Sequence, residues 1–98
     1  MIERFDWLLY LEVAEHLVAR DGEGYWRSAV SRAYYAVFCA TRDALEERRG
    51  VRFPQTGDAH GEVVRALRGD RATSVSDMGR GLDRLRRLRN RADYRTTE

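Results

Sequence analysis

Apolar residues recur along this chain at steps of three and four residues, which is the spacing of one face of an α-helix. The pattern is interrupted at 21–24, 50–57 and 69–70, where glycines and the single proline favour turns. It therefore predicts an all-α chain of four helices with short connections. The predicted helices run from about Glu3 to Arg20, Tyr25 to Arg49, Asp58 to Arg68, and Ser74 or Ser76 to Tyr94.

The first two helices differ in how their apolar residues are distributed. One face of the first is formed by Trp7, Tyr10, Leu11, Ala14, Leu17 and Val18. Phe5, Leu9 and Val13 lie on another side of the same helix, which predicts a second contact, with another subunit. The centre of the second helix, 31–40, is apolar nearly all round and is expected to be the most buried part of the fold. Gly50 is expected to close this helix.

The fourth helix combines an apolar stripe with a dense set of arginines. Six of the fifteen residues 80–94 are Arg, which predicts a guanidinium face opposite one packed side. Arg89 falls in the apolar seam, at a position that favours Leu. An intrahelical pair with Asp93, a buried anion or a carboxylate of a partner protein would explain an arginine there. The predicted stripe consists of Met78, Leu82, Leu85, Leu88 and Ala92.

Length and composition limit the class of protein. The 98 residues predict a single helical domain covering 1–98. Cys39 is the only cysteine, which excludes an internal disulfide and fits a reducing cytoplasm. With His16 and His60 as the only histidines, no metal site and no cofactor are expected. The chain has no apolar run of membrane-spanning length, and its N-terminal residues do not follow a signal-peptide pattern, so a cytoplasmic location is predicted.

The charge is distributed unevenly between the two halves of the chain. Residues 1–50 hold 7 Arg and 9 acidic residues, a net charge of −2, whereas residues 51–98 hold 11 Arg and 7 acidic residues, a net charge of +4. A basic half of this kind indicates an anionic partner, such as RNA, a nucleotide or an acidic protein surface.

Two motifs together resemble those of the HEPN family of prokaryotic helical proteins. The first is Ser-Arg-Ala-Tyr-Tyr-Ala-Val-Phe at 31–38 on the long second helix. The second is Arg-Asn-Arg-Ala-Asp-Tyr at 89–94, which ends the last helix after a short helix containing His60. The resemblance covers about residues 5 to 95 and points to the branch whose last helix ends in an R-x-x-A-D-Y element.

The resemblance implies an up-and-down four-helix bundle similar to the substrate-binding domain of some nucleotidyltransferases. It also implies a homodimer in which the last helices contribute to a shared cleft. Many members are encoded beside a small nucleotidyltransferase, and several such pairs act as toxin and antitoxin. The active branches are metal-independent RNases, whose motif is an Arg followed after four to six residues by a His on the last helix.

This chain departs from the RNase motif at the His. After four intervening residues Arg89 is followed by Tyr94, and a Tyr is a poor base because its ordinary pKa is near 10. The resemblance nevertheless makes Arg89, Asp93 and Tyr94 the candidate catalytic residues. The candidate anion- or RNA-binding residues are Arg84, Arg87, Asn90, Arg91 and His60.

Three classes of function remain open from the sequence. The first is a dimeric binding module for RNA, a nucleotide or a partner nucleotidyltransferase, in which helices one and four meet a second copy. The second is a metal-independent RNase toxin that uses Arg89, Asp93 and Tyr94. The third is a structural helical dimer without an anion ligand. The missing His favours the first class, and the basic half of the chain argues against the third.

Overall fold

The computed structural model describes residues 5–95 of the chain, and within that range all regular structure is helical. The helices are α1 (Leu9–Val18), α2 (Glu23–Arg49), α3 (Ala59–Arg68) and α4 (Thr73–Tyr94). The 27-residue α2 is the central element, because α1 and α4 both pack on it, while α3 packs mainly on α4. The predicted all-α four-helix bundle is therefore confirmed.

The connection from α2 to α3 is fixed at its start by a glycine. Gly50 adopts the left-handed conformation, with φ of 67°, and its N–H donates to the carbonyl of Glu46 at 3.0 Å. The Glu46 carboxylate accepts from the N–H of Phe53 at 2.9 Å, and the Phe53 ring packs against the core. The loop then brings the start of α3 back to the middle of α2.

Three helix starts differ from the prediction. The helix α1 begins at Leu9, and its predicted start, Glu3, lies outside the described residues. The helix α2 begins at Glu23, two residues before the predicted Tyr25. Ahead of α4, the Asp70 carboxylate accepts from the N–H of Ala72 at 2.8 Å, so Ala72 occupies the N-cap. Ser74 and Ser76 are therefore inside the helix rather than capping it.

The predicted N-cap of α3 is in place without its expected hydrogen bond. Asp58 occupies the N-cap position, but its side chain makes no capping bond to the helix. Its own N–H is instead 3.4 Å from the hydroxyl of Thr56. The Asp58 carboxylate therefore accepts no hydrogen bond from the first backbone N–H groups of α3.

The buried side of α4 is turned by about one residue relative to the predicted stripe. Leu82 and Ala92 are buried as expected, but Met78 and Leu88 are exposed. The cause is the close approach of α3 at Gly79, where an added Cβ would lie 2.8 Å from Cγ of Arg68. The resulting line of buried and half-buried positions is Gly79, Leu82, Arg86, Arg89 and Ala92.

The core lies where α2, α3 and α4 meet. Its buried members are Tyr34, Phe38, Cys39, Leu45, Ala59, Val63, Val64, Leu67 and Leu82. The helix α1 packs on α2 alone, and Ala14 is its only buried residue. Much of the apolar surface of α1 therefore stays exposed, including Leu9 and Val13. None of the described helices is long and apolar enough to cross a membrane.

Candidate functional site

Because the buried side of α4 is rotated relative to the predicted stripe, two of its arginines line a small cavity between α2, α3 and α4. The cavity has a volume of about 200 Å³. Arg86 and Arg89 form its α4 side, and His60 forms part of its α3 side. We call it the Arg89 cavity. Its lining residues are Tyr34, Tyr35, Phe38, Thr56, Gly57, Ala59, His60, Arg86 and Arg89.

Arg89 is half-buried and loosely held. Its side chain is 13% exposed, and its guanidinium carbon lies 5.0 Å from the ring centre of Tyr34 and 5.5 Å from that of Tyr35. A terminal nitrogen is 3.7 Å from a carboxylate oxygen of Asp93 and 3.5 Å from the Tyr35 hydroxyl. The Nε atom is buried and has no hydrogen-bond partner among residues 5–95. The stacking on two aromatic rings is favourable, but the polar contacts are long for a charged group.

His60 is the buried polar residue of the core, and both of its ring nitrogens are engaged. Its Nδ1 is 2.7 Å from the hydroxyl of Tyr34, and its Nε2 is 3.4 Å from a carboxylate oxygen of Asp83. A carboxylate can only accept, so Nε2 holds the ring proton and Nδ1 accepts from the Tyr34 hydroxyl. The arrangement is a chain from Asp83 through His60 to Tyr34 that joins all three helices.

Burial shifts the proton affinities of this chain of groups in ways that favour the neutral forms. It lowers the pKa of His60 below its ordinary value, an effect that the Asp83 hydrogen bond opposes and the nearby charges of Arg86 and Arg89 reinforce. Burial raises the pKa of Tyr34 to about 12, although the charges of Arg89 and Arg86 act in the other direction. At neutral pH His60 and Tyr34 are therefore both uncharged.

The electrostatic balance of the cavity is positive. Asp83 is shared between His60 and Arg87, whose terminal nitrogen is 2.8 Å from its other oxygen. Arg86 has no carboxylate within ion-pair distance in the described part of the chain. The start of α3 also lines the cavity through Ala59, and a helix start attracts negative charge. The cavity is thus suited to an anion.

The remaining predicted binding residues lie on a different side of α4. Arg87, Asn90 and Arg91 line an open hollow of about 590 Å³ at the end of the helix, together with Tyr94 and Arg95. We call it the helix-end hollow. Arg84 is exposed and lines neither the hollow nor the Arg89 cavity.

The three candidate catalytic residues are only partly brought together. Asp93 lies beside Arg89 and also accepts from the hydroxyl of Ser31 at 3.5 Å. Tyr94 is 73% exposed and lies in the helix-end hollow. Arg27 fixes this end of α4 by donating to the carbonyl of Ala92 at 2.9 Å. Arg89 and Asp93 therefore form a pair from which Tyr94 is separated.

The sequence did not single out Asp83, and it predicted a solvated face for Arg86. It placed Tyr34 and Tyr35 in the core with at most one hydroxyl reaching a cleft, whereas both line the cavity. Asp83, Arg86 and Arg89 follow each other at steps of three on α4, which is the one signal that could have grouped them. No group of three His, Cys, Asp or Glu side chains within residues 5–95 is arranged to hold a metal ion.

Comparison of this chain with models of protein families, with curated proteins and with solved structures finds no match.

Proposed function

We propose that this protein is a HEPN-like, dimeric helical module that binds the phosphate groups of RNA or of a nucleotide in the Arg89 cavity. The observation that carries the proposal is the state of Arg89. Its side chain is 13% exposed, and its buried Nε has no partner within the described residues. A buried donor without a partner costs about 1–3 kcal/mol, and more when it is charged.

A bound phosphate would supply what the side chain lacks. Its oxygens accept hydrogen bonds from guanidinium nitrogens at about 2.7–2.9 Å, and an arginine can donate two such bonds in parallel. Arg86, which has no carboxylate within ion-pair distance among residues 5–95, is placed to donate to the same group. The start of α3 adds further attraction for a negative charge. A volume of about 200 Å³ exceeds that of several water molecules, each of which takes about 30 Å³.

The helix-end hollow favours RNA as a ligand that extends past the cavity. It presents Arg87 and Arg91 beside the exposed ring of Tyr94, and arginines next to an aromatic ring suit a backbone phosphate and a stacked base. A nucleotidyltransferase partner and a toxin–antitoxin role, which the HEPN resemblance implies, form the wider part of the proposal.

Binding without cleavage is favoured by the protonation of the neighbouring groups. Metal-independent cleavage of RNA needs a group that takes a proton from the 2′-hydroxyl. The free lone pair of His60 is already used by the Tyr34 hydroxyl, and Tyr34 itself has a pKa of about 12. Neither residue is therefore available as a base at neutral pH.

An RNase remains the second candidate, because the Asp93 carboxylate lies beside Arg89. The test is incubation of the purified protein with RNA in the presence of a chelator. Cleavage that is lost in both Arg89→Met and Asp93→Asn would replace the binding proposal with the RNase.

The binding proposal is tested with inorganic phosphate as the probe. Thermal unfolding is followed from 0 to 100 mM phosphate, with chloride holding the ionic strength constant. A site with a dissociation constant of about 10 mM gives roughly 1.4 kcal/mol of stabilisation at the highest concentration. Arg89→Met should lose this gain, while the matched control Arg80→Met, on an exposed part of the same helix, should retain it. An equal gain in all three proteins would show only the general stabilising effect of phosphate salts and would contradict the proposal.

RNA binding offers a second measurement. The affinity for a short single-stranded RNA should fall with salt, and Arg89→Met should reduce the slope of log K against log salt by about one relative to Arg80→Met.

A further inference from the structure

A wider groove lies next to the Arg89 cavity. It has a volume of about 690 Å³ and lies between α1, α2 and the end of α4. Tyr35 lines both the cavity and the groove, and Asp93, which lines the groove, lies beside Arg89. We call it the α1–α2–α4 groove. Its lining includes Val13, Leu17, Ser28, Ser31, Arg32 and Asp93.

The volumes of the two spaces suit different parts of a nucleotide. Pockets that hold a drug-sized molecule measure about 300–1,000 Å³. The Arg89 cavity, at about 200 Å³, is smaller than this, so it has room for a phosphate group but not for the nucleoside attached to it. The groove is large enough for a nucleoside. The helix-end hollow shares no lining residue with the Arg89 cavity, so the groove is the space open to the nucleoside next to the phosphate.

Arg89 uses one nitrogen on the groove side and has another without a partner. Its Nη1 atom is 3.5 Å from the hydroxyl of Tyr35 and 3.7 Å from a carboxylate oxygen of Asp93. Its Nε atom has no hydrogen-bond partner within residues 5–95. A phosphate bound to Nε therefore leaves the Asp93 carboxylate in place beside the groove.

Asp93 provides an acceptor for a sugar hydroxyl. Its side chain is 28% exposed, and among the described residues that line the groove it is the only carboxylate. The Ser31 hydroxyl lies 3.5 Å from its Oδ2, which is long for a hydrogen bond, so the carboxylate can accept a shorter one. In dinucleotide-binding folds a carboxylate accepts from a ribose 2′-hydroxyl while the phosphates are held at a separate site.

The α1 side of the groove is apolar. Val13 and Leu17 are four residues apart, which places them on one face of α1, and Val13 is 42% exposed. Such a wall suits the flat face of a base. The exposed Arg32, which has no carboxylate within ion-pair distance in the described part of the chain, suits a further phosphate of an RNA chain.

We propose that the α1–α2–α4 groove is a ribonucleoside subsite, in which Asp93 accepts a hydrogen bond from the 2′-hydroxyl of the nucleotide whose phosphate occupies the Arg89 cavity. This inference rests on the proposed phosphate site and adds the discrimination of ribose from deoxyribose. Arg89 alone cannot make that distinction, because the 2′-hydroxyl and not the phosphate distinguishes RNA from DNA. Asp93 is thereby a specificity-determining residue.

The role of Asp93 is tested with adenosine 5′-monophosphate, its 2′-deoxy analogue and inorganic phosphate, whose affinities follow from the rise of Tm with ligand concentration. The wild type should bind the ribonucleotide about 10-fold more tightly than the deoxy analogue, which is the lower end of the strength of a hydrogen bond to a charged group. Asp93→Ala should bind the two nucleotides equally and should bind inorganic phosphate at least as well as the wild type. Asp77→Ala, the matched control at an exposed position of the same helix, should retain the preference.

The position of the nucleoside is tested on α1. Val13→Glu places a carboxylate on the apolar wall and should weaken binding of the ribonucleotide by at least about 10-fold without changing the affinity for inorganic phosphate. Leu9→Glu is the matched control, because Leu9 is 46% exposed one turn earlier and does not line the groove; it should change neither affinity. Ribonucleotide binding that is unaffected by Val13→Glu would overturn the proposal. Circular dichroism establishes that the variants are folded.

The failure of the subsite and the failure of the phosphate site are separate results. Equal affinity of the wild type for the two nucleotides, with inorganic phosphate bound, would overturn the ribose subsite alone. No binding of inorganic phosphate or of either nucleotide would overturn the proposed function as well. A short single-stranded RNA and the DNA of the same sequence identify the source of the nucleotide. RNA that binds more tightly than the mononucleotide, with its preference over DNA lost in Asp93→Ala, supports the subsite as part of an RNA site, and RNA that binds no more tightly supports it as a site for a free ribonucleotide.

Discussion

Replacing Arg89 by Met separates a functional arginine from a structural one, because the two interpretations predict opposite changes in stability. Met has nearly the same length as Arg and preserves contact with the rings of Tyr34 and Tyr35, but it has no charge. If Arg89 holds the fold together, Arg89→Met should destabilise it. If Arg89 is retained to bind an anion, the variant without a ligand should be at least as stable as the wild type.

The expected magnitude follows from the contacts of Arg89. The variant loses two cation–π contacts, at 5.0 and 5.5 Å, together worth about 1–2 kcal/mol. It loses an ion pair at 3.7 Å with Asp93, worth at most about 1 kcal/mol. It gains about 1–3 kcal/mol because the unpartnered Nε–H is removed, and a further part of the burial cost of the charge. The central values of these losses and gains, about 2 kcal/mol each, nearly cancel, and the burial cost of the charge then decides the sign. The net change should lie between zero and about 2 kcal/mol in favour of the variant.

The assay is urea unfolding followed by circular dichroism in a phosphate-free buffer, since any bound anion would stabilise the wild type alone. An increase of 1 kcal/mol corresponds to a rise of about 4–8 °C in Tm for a domain of this size. Arg80→Met, which loses only an exposed pair with Asp77, should change stability by less than about 0.5 kcal/mol. A loss of more than about 1 kcal/mol in Arg89→Met would refute the reasoning and make Arg89 a structural residue.

Three further predictions concern the core beneath the cavity. Because burial lowers the pKa of His60, protonation favours the unfolded chain, so stability should fall as the pH decreases below about 6.5. His60→Gln should flatten this slope in urea titrations at pH 5–7, and an unchanged slope would contradict the assignment. Because the pKa of Tyr34 is about 12 in the folded protein and near 10 in the unfolded chain, the free energy of unfolding should fall by up to roughly 3 kcal/mol as the pH rises from 10 toward 12. Tyr34→Phe should remove this loss in unfolding measurements. Gly79→Ala should destabilise the fold by about 1–3 kcal/mol, because the added Cβ would lie 3.1 Å from Cβ of Leu67. Gly81→Ala should stabilise it by about 0.5–1 kcal/mol, because a Cβ there would have no atom within 4 Å. Equal effects of the two substitutions on Tm would contradict the close approach of α3 and α4.

The helices were predictable because their boundaries depend on local chemistry. Gly50 ends α2 by the left-handed turn that its type favours, and the predicted end of α4 at Tyr94 agrees with the structure. The side of α4 that is buried was less predictable. Leucine spacing placed Met78 and Leu88 in the seam, but the position of α3 against Gly79 decides which side faces inward, and that contact involves residues distant in sequence.

The candidate site was predictable only in part, for the same reason. The apolar neighbours of Arg89 in sequence predicted that it lies in a seam, and in the structure its side chain is half-buried, at 13% exposed. The hydrogen bond between Tyr34 and His60 spans 26 positions, and that between His60 and Asp83 spans 23. No local pattern specifies such contacts, because they follow from how three helices pack.

Helix geometry itself separates binding from cleavage at the end of α4. Successive residues turn by about 100°, so Asp93 lies about 40° around the helix from Arg89, whereas Tyr94 lies about 140° away. The structure accordingly has Asp93 beside Arg89 and Tyr94 exposed in the helix-end hollow. Within one protomer, Tyr94 is therefore separated from the pair formed by Arg89 and Asp93. The residues that remain around Arg89 can bind a phosphate, while His60 and Tyr34 are held neutral by each other and by burial.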